Sequence, residues 1–146
     1  MIFDHSETVS DAQAFSADAG STNCIDLLVT GRKLGSGEGL AFVLFVDVAA
    51  DGTTTDETYS FNVQTDDNAA FSSATTLGTN VRTYGNLTVN SQHVFYIDPS
   101  WVFERYTRIF FDGGGTTPTI TGTIALMPLN AVKKLTLYPN NYTITH

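Results

Sequence analysis

The sequence predicts an all-β protein that folds as one antiparallel β-sandwich. Its apolar residues recur with a period of two in many short segments, which is typical of half-buried strands. Clusters of Gly, Thr, Asn and Asp separate these segments, and the only helical pattern is a possible turn or two at residues 67–74. A chain of 146 residues suits a single domain that buries about two-thirds of its unfolded surface. The sequence therefore favours one sandwich over two domains.

Two segments carry this prediction. Leu40–Val48 is apolar on both faces and is typical of a central strand covered on both sides. Thr58–Thr65 alternates, which places Tyr59, Phe61 and Val63 inward. Even spacing of the strands favours a sandwich, plausibly of the jelly-roll type. The other predicted strands are 12–17, 23–29, 75–77, 93–98, 105–111 and 119–127, with a ninth at 132–138.

The glycine-rich stretch Asp112–Pro118 resembles a phosphate-binding loop only superficially. A nucleotide loop needs a helix behind it, whose N-terminal N–H groups hold the anion. Here the residues on both sides have strand composition, and no Gly-Lys-Ser/Thr sequence closes the motif. The stretch is therefore predicted to be a turn between two strands.

No catalytic or metal-binding motif stands out, so we expect no enzyme activity and no cofactor. Asp47–Gly52 differs from a calcium loop because Ala49 replaces the second ligand and Thr58 replaces the bidentate acid. A hairpin turn through Asp51-Gly52 is the simpler prediction. The three histidines, which lie far apart without ligand spacing, are His5, His93 and His146.

Charge is distributed unevenly along the chain. Residues 1–67 hold twelve acidic and two basic residues, whereas residues 68–146 hold three acidic and five basic residues. A net charge of −8 disfavours nucleic-acid binding, because Lys and Arg supply most of that affinity. No apolar run approaches the length of a membrane helix. Cys24 is the only cysteine, and its apolar surroundings predict a buried side chain and a reducing compartment.

Trp101 follows Pro99 in a segment predicted to be a loop. An aromatic side chain there can cover the core, anchor an interface or stack on a sugar. The last possibility supports an alternative function, a carbohydrate-binding β-sandwich of a phage fibre or a bacterial surface system. Such a module would need Trp101 to share a surface with other aromatic residues such as Tyr84 and Tyr142.

Six stretches, in three groups along the chain, resemble a known family. They are MIFD at residues 1–4 followed by 10–14 and 21–26, then VQTDDNAAF at 63–71, and RYTR at 105–108 followed by the glycine-rich turn to residue 124. Together they are similar to the jelly-roll capsid cement (decoration) proteins of tailed bacteriophages. The resemblance covers residues 1–127, and the tail from 128 to 146 is longer than expected.

The resemblance implies a structural virion protein on the outer capsid surface, made in the host cytoplasm. It would cement adjacent major capsid protein subunits and stabilise the matured shell. Its partners would be the major capsid protein and itself, as a dimer or trimer, with no nucleic acid and no membrane. Residues 1–127 would form the sandwich, and 128–146 would pack on it or reach a neighbour. The candidate interface residues are Met1, Ile2, Phe3, Trp101, Lys133, Lys134, Tyr138 and Tyr142.

Overall fold

A computed structural model describes residues 5–137 and confirms the all-β prediction. Two antiparallel sheets pack face to face, and two short 3-10 helices lie at His5–Glu7 and Tyr84–Asn86. The other elements are β1 (Thr8–Phe15), β2 (Ala19–Gly20), β3 (Ile25–Asp26), β4 (Leu40–Val48), β5 (Thr58–Asp66), β6 (Thr75–Thr83), β7 (Gln92–Tyr96), β8 (Tyr106–Gly114), β9 (Ile120–Pro128) and α1 (Leu129–Leu137).

The strand order is that of a jelly roll. Sheet A runs β1-β9-β4-β7, and sheet B runs β2-β8-β5-β6, with β3 pairing β8 beyond β2. Successive long strands from β4 onward occupy the sheets as A, B, B, A, B, A, so most connections cross from one sheet to the other. The first strand of sheet A lies beside the last, as in double-sheet jelly rolls.

The core lies between the inner faces of the two sheets and is built around aromatic rings. Phe61 of sheet B packs against Phe95 of sheet A, with ring centroids 5.3 Å apart. Phe111 is 5.6 Å from Phe61 and 5.2 Å from Phe15. Tyr59 is fully buried, as are Phe61 and Val63, which confirms the inward face predicted for this strand. These rings join the two sheets at the centre of the sandwich.

The ninth strand predicted at 132–138 is wrong, because helix α1 occupies Leu129–Leu137. The segment alternates like a strand in sequence, but the chain turns at the end of β9 and becomes helical. Val132 is buried against Ala41 and Val43 on the outer face of sheet A. Leu129 packs over Gly39, and its backbone N–H donates to the Gly39 carbonyl at 2.8 Å. The helix therefore covers β4 on the side away from the core, as the apolar character of that strand requires.

Other predicted boundaries also change. The strand predicted at 75–77 extends to Thr83, and the one predicted at 23–29 shrinks to Ile25–Asp26. Asp51-Gly52 does not form a hairpin, because β4 and β5 belong to different sheets and the chain crosses between them. Cys24 is half-buried rather than fully buried, and burial raises the pKa of its thiol.

The glycine-rich stretch is a strand-to-strand connection, as predicted. Its first glycines end β8, and β9 follows without a helix. Gly115 has φ +85°, and a Cβ there would lie 2.4 Å from the Asp56 carbonyl oxygen. Glycine is therefore required where this connection passes over the β4–β5 loop.

Candidate functional site

The jelly roll sorts the loops into two ends. Strand β4 runs from one end to the other and β5 returns, so their connection lies opposite the loop that precedes β4. One end, termed the acid end, consists of residues 16–18, 47–57, 84–91 and 112–119. The opposite end, termed the apolar end, consists of residues 27–39, 67–74 and 97–105.

The acid end concentrates negative charge and contains no Lys or Arg. Hydroxyl groups, rather than bases, act as partners to its carboxylates. The Thr53 hydroxyl donates to Asp51, and the Thr54 hydroxyl lies within hydrogen-bonding distance of Asp56 and Glu57. These hydrogen bonds hold the pKa of each of the three carboxyl groups below its usual value. The six acidic residues of this end are Asp18, Asp47, Asp51, Asp56, Glu57 and Asp112.

The apolar end carries charges of both signs and exposes three aliphatic side chains. Leu28 is 69% exposed, and Val29 and Val102 are each 52% exposed. The two segments that carry them are bonded to each other, since the Gly31 N–H donates to the Phe103 carbonyl at 2.8 Å. The exposed aliphatic groups therefore stand on two loops that are held together.

Leu28 has an unusual backbone. Its φ of +69° lies in the left-handed region, which is uncommon for a residue with a branched side chain. Its N–H donates to the Asp26 carboxylate at 2.7 Å, and this carboxylate also accepts two hydrogen bonds from Arg105, at 2.9 and 2.8 Å. Arg105 holds the pKa of Asp26 below its usual value. The bidentate pair and the turn together fix the backbone that presents Leu28 to solvent.

Trp101 lines a hollow of about 470 Å³ between β6 and the end of β7. The indole is half-buried and rests on Gly78, where a Cβ would come within 2.4 Å of its ring. Tyr96, which is 62% exposed, lines the same hollow together with Asn80 and Asp98. Trp101 thus lies beside β6 and the end of β7. Its indole packs against the core and also forms one wall of this hollow.

The aromatic surface proposed from sequence differs from the observed one. Tyr84 lies over Gly52 at the acid end, away from Trp101, whereas Tyr96 lines the Trp101 hollow. Tyr142 lies outside the described residues.

The structure describes only some of the other predicted interface residues. Lys133 is exposed on α1 and lines a second hollow of about 260 Å³ with Tyr96 and Leu129. Tyr96 lines both hollows, the first together with Trp101 and the second together with Lys133. Lys134 belongs to the same helix. The predicted residues outside the described range are Met1, Ile2, Phe3 and Tyr138.

Within residues 5–137, no three His, Cys, Asp or Glu side chains converge as a metal site. His93 contacts the Ser91 hydroxyl at 3.0 Å, and burial is the main cause that lowers its pKa, with Arg82 adding to the effect. No helix in the same part of the chain combines the length and the apolar composition needed to cross a bilayer.

Sequence reasoning missed the residues that distinguish the apolar end. Leu28 and Val29 were assigned to a strand, where alternation would bury one of them. The available signal was Asp26, because an aspartate can accept from the N–H two residues later and end a strand. The sequence around Tyr96 and Val102 did not indicate that these side chains are exposed, because exposure at a strand end depends on the neighbouring loop.

The sequence matches a protein-family model over most of its length. The family model named Bbp16 matches residues 9–127, which run from the second residue of β1 almost to the end of β9. No curated protein matches the sequence.

Proposed function

The chain belongs to the Bbp16 family, and we propose that it is a non-enzymatic virion protein that cements the outer surface of a capsid. One observation carries this proposal: the rigid presentation of Leu28, Val29 and Val102 at one end of the sandwich. The resemblance of the sequence to phage decoration proteins supports it, as does the jelly-roll topology.

The exposed aliphatic groups supply the binding energy in this proposal. Burying a Leu or Val side chain stabilises a complex by about 1.5–3 kcal/mol. Their loops are already joined by hydrogen bonds, so little conformational entropy is lost when they dock. A protein that touches several capsid subunits gains further from multivalency, because each later contact forms at high effective concentration.

The acid end faces away from the shell in this proposal. Hydroxyl partners hold the pKa of Asp51, Asp56 and Glu57 below its usual value, and contact with a capsid here would also dehydrate exposed carboxylates, those of Asp18, Asp47, Asp56 and Asp112. The apolar end carries Arg32 and Lys33 near the exposed side chains, which can pair with acidic groups of a capsid subunit. Such exposed pairs add little individually, so the aliphatic contacts dominate.

Matured capsids assembled without this protein provide the test. The purified protein should bind them saturably, and electron microscopy should place the apolar end against the shell. Bound protein should raise the temperature at which the capsids disrupt. Absence of binding, or density with the acid end against the shell, would contradict the proposal.

The Trp101 hollow favours one alternative, carbohydrate binding. An exposed aromatic ring can stack on a sugar, and Asn80 and Asp98 offer hydrogen-bonding groups at the same place. Binding to a glycan array that disappears in Trp101→Ala, with the fold retained, would favour this function. Binding to capsids but not to the array would exclude it.

A further inference from the structure

One carboxylate at the acid end is buried without a full set of partners. Glu57 immediately precedes β5 and is only 4% exposed, and its Oε2 atom has no hydrogen-bond partner among the described residues. Its Oε1 atom accepts from the Thr54 N–H at 3.2 Å and lies within hydrogen-bonding distance of the Thr54 hydroxyl. A buried carboxylate oxygen without a partner is costly, because it has lost its water and gained no replacement.

The Thr54 hydroxyl cannot satisfy both carboxylates that it contacts. It lies within hydrogen-bonding distance of Asp56 Oδ1 as well as Glu57 Oε1. A hydroxyl carries one hydrogen, so it can donate to only one of these oxygens. Thr116 also donates to Asp56, through its N–H at 3.3 Å and its hydroxyl at 3.1 Å. Among the described residues, Glu57 has no donor residue besides Thr54, so the cluster of Thr54, Asp56 and Glu57 lacks positive charge.

No basic side chain supplies that charge. The acid end contains no Lys or Arg, and within residues 5–137 the recorded ion pair joins Arg105 to Asp26 at the opposite end. The pKa of each carboxyl group, Asp56 and Glu57, lies below its usual value of about 4, so both are ionised at neutral pH. Asp56 is exposed, which leaves the cluster open to solvent on that side. A cation from solution can therefore complete it.

The donor atoms select the class of cation. They are two carboxylates and a hydroxyl, all hard oxygen ligands, whereas zinc and copper favour nitrogen and sulfur. Ca²⁺ takes about six to eight oxygens in flexible geometry, and Mg²⁺ demands a near-ideal octahedron and gives up its water reluctantly. An irregular loop with water at the remaining positions suits Ca²⁺ better. Two carboxylates rather than three indicate a weak site, with a dissociation constant on the order of 0.1–1 mM.

We propose that Asp56 and Glu57 form a calcium site that fastens the β4–β5 loop to the β8–β9 connection. Asp56 already accepts from Thr116 of that connection, and Gly115 passes directly over the Asp56 carbonyl. A cation on the Asp56 carboxylate would therefore stabilise both loops at once. The proposal does not depend on capsid binding, because it concerns the protein alone in solution.

Thermal unfolding of the full chain, after EDTA treatment and dialysis, tests the site. Calcium chloride at about 10 mM should raise the melting temperature by at least about 3 °C above sodium chloride of the same ionic strength. The sodium control removes general screening of an acidic protein. Magnesium chloride should raise the melting temperature less than calcium chloride. A melting temperature that is the same in calcium and sodium overturns the proposal.

Two variants locate the effect. Glu57→Gln should abolish the calcium shift, because the amide removes the charge and brings the hydrogens that the carboxylate lacks. The matched control is Asp112→Asn, which removes one charge from an exposed residue of the same end and should keep the shift. Equal calcium shifts in these two variants overturn the proposal. Circular dichroism establishes folding, and Asp56→Asn, which should also lose the shift, replaces Glu57→Gln if that variant does not fold.

Terbium luminescence gives a readout of binding that is separate from stability. Tb³⁺ replaces Ca²⁺ and emits when a nearby tyrosine is excited. Tyr59 lies close to the site, since burial is the main cause that raises its pKa and the charge of Glu57 adds to the effect. Emission should appear with the unmodified protein, fall when calcium is added, and be absent in Glu57→Gln. Emission that calcium does not displace, or that is undiminished in Glu57→Gln, contradicts the proposal.

Discussion

The two ends of the sandwich are built on the same strands but differ in the partners of their acidic residues. At the acid end, Asp51, Asp56 and Glu57 accept from threonine hydroxyls, and none of them pairs with a base in the part of the chain that the structure describes. At the apolar end, Asp26 is paired in bidentate fashion with Arg105, and this pair supports a loop whose Leu28 points to solvent. One end therefore stabilises its carboxylates with hydroxyl groups, and the other uses an ion pair to hold apolar groups in place.

The difference teaches that exposure alone does not identify a docking surface. The acid end also exposes two valines, Val48 at 59% and Val89 at 56%. Both belong to the end that holds the six acidic residues, whose dehydration would oppose burial of apolar groups against a partner. The aliphatic groups of the apolar end lie among charges of both signs, which a partner can pair.

The largest expected effect concerns capsid retention. Leu28→Ser combined with Val29→Ser should weaken binding to matured capsids by at least tenfold, since burial of both side chains is lost. The control Val48→Ser with Val89→Ser should bind like the unmodified protein. Both pairs are exposed, so the free energy of unfolding should change by less than about 1 kcal/mol. Equal loss of retention in the two double variants would remove the distinction between the ends.

A second effect concerns the stability of the loop that carries Trp101. In Gly78→Ala the new methyl group would overlap the indole, and we expect the free energy of unfolding to fall by about 1–3 kcal/mol. Gly85 at the acid end has open space at its Cβ position, so Gly85→Ala is the matched control. Urea denaturation measures both. If Gly78→Ala is as stable as Gly85→Ala, the indole is not held against β6.

A smaller effect concerns the ion pair at the apolar end. Asp26→Asn should lower the melting temperature by no more than about 4 °C at pH 7. Arg105 lowers the pKa of folded Asp26, so the stabilisation is present above the unfolded value near 4 and is lost as pH falls through the folded value. The melting temperatures of the two proteins should therefore converge below about pH 4. A difference that persists unchanged at pH 2 would mean that the carboxylate charge is not responsible.

The smallest effect concerns His93, whose strand begins at the acid end. Burial and Arg82 lower its pKa in the folded protein. The unfolded chain therefore binds a proton first, and stability should decline as pH falls below about 6.5 towards the folded value. In His93→Gln this decline should disappear between pH 7 and 5. Parallel stability curves for the two proteins over that range would contradict the assignment.

Much of the fold was predictable because burial controls it. Strand β4 is apolar on both faces, and it lies centrally between the core and α1. Strand β5 alternates because only one of its faces meets the core. The length of β6 was not predictable, since an exposed edge strand rich in Thr shows no apolar period. α1 was missed because its short apolar pattern also fits a strand.

The candidate site was predictable only in part. Trp101 was singled out as the only tryptophan of the chain, in a segment predicted to be a loop, and it does line a hollow. The exposed aliphatic side chains at the apolar end depend on the left-handed backbone conformation of Leu28 and on a hydrogen bond between two loops far apart in sequence. Neither feature produces a periodic pattern in the sequence. The charge imbalance along the chain was visible in the sequence, but the fold was needed to show which loops share an end of the sandwich.

The adjacency of the first and last strands has a consequence for synthesis on the ribosome. β1 pairs with β9, and β4 lies between β9 and β7, so sheet A is incomplete until residues 120–128 have emerged. Until then the nascent chain holds long apolar strands without their partners. Folding must therefore wait for nearly the whole sandwich, and such distant pairing is expected to take milliseconds to seconds. During that interval the cell has to keep the strands of neighbouring nascent chains apart.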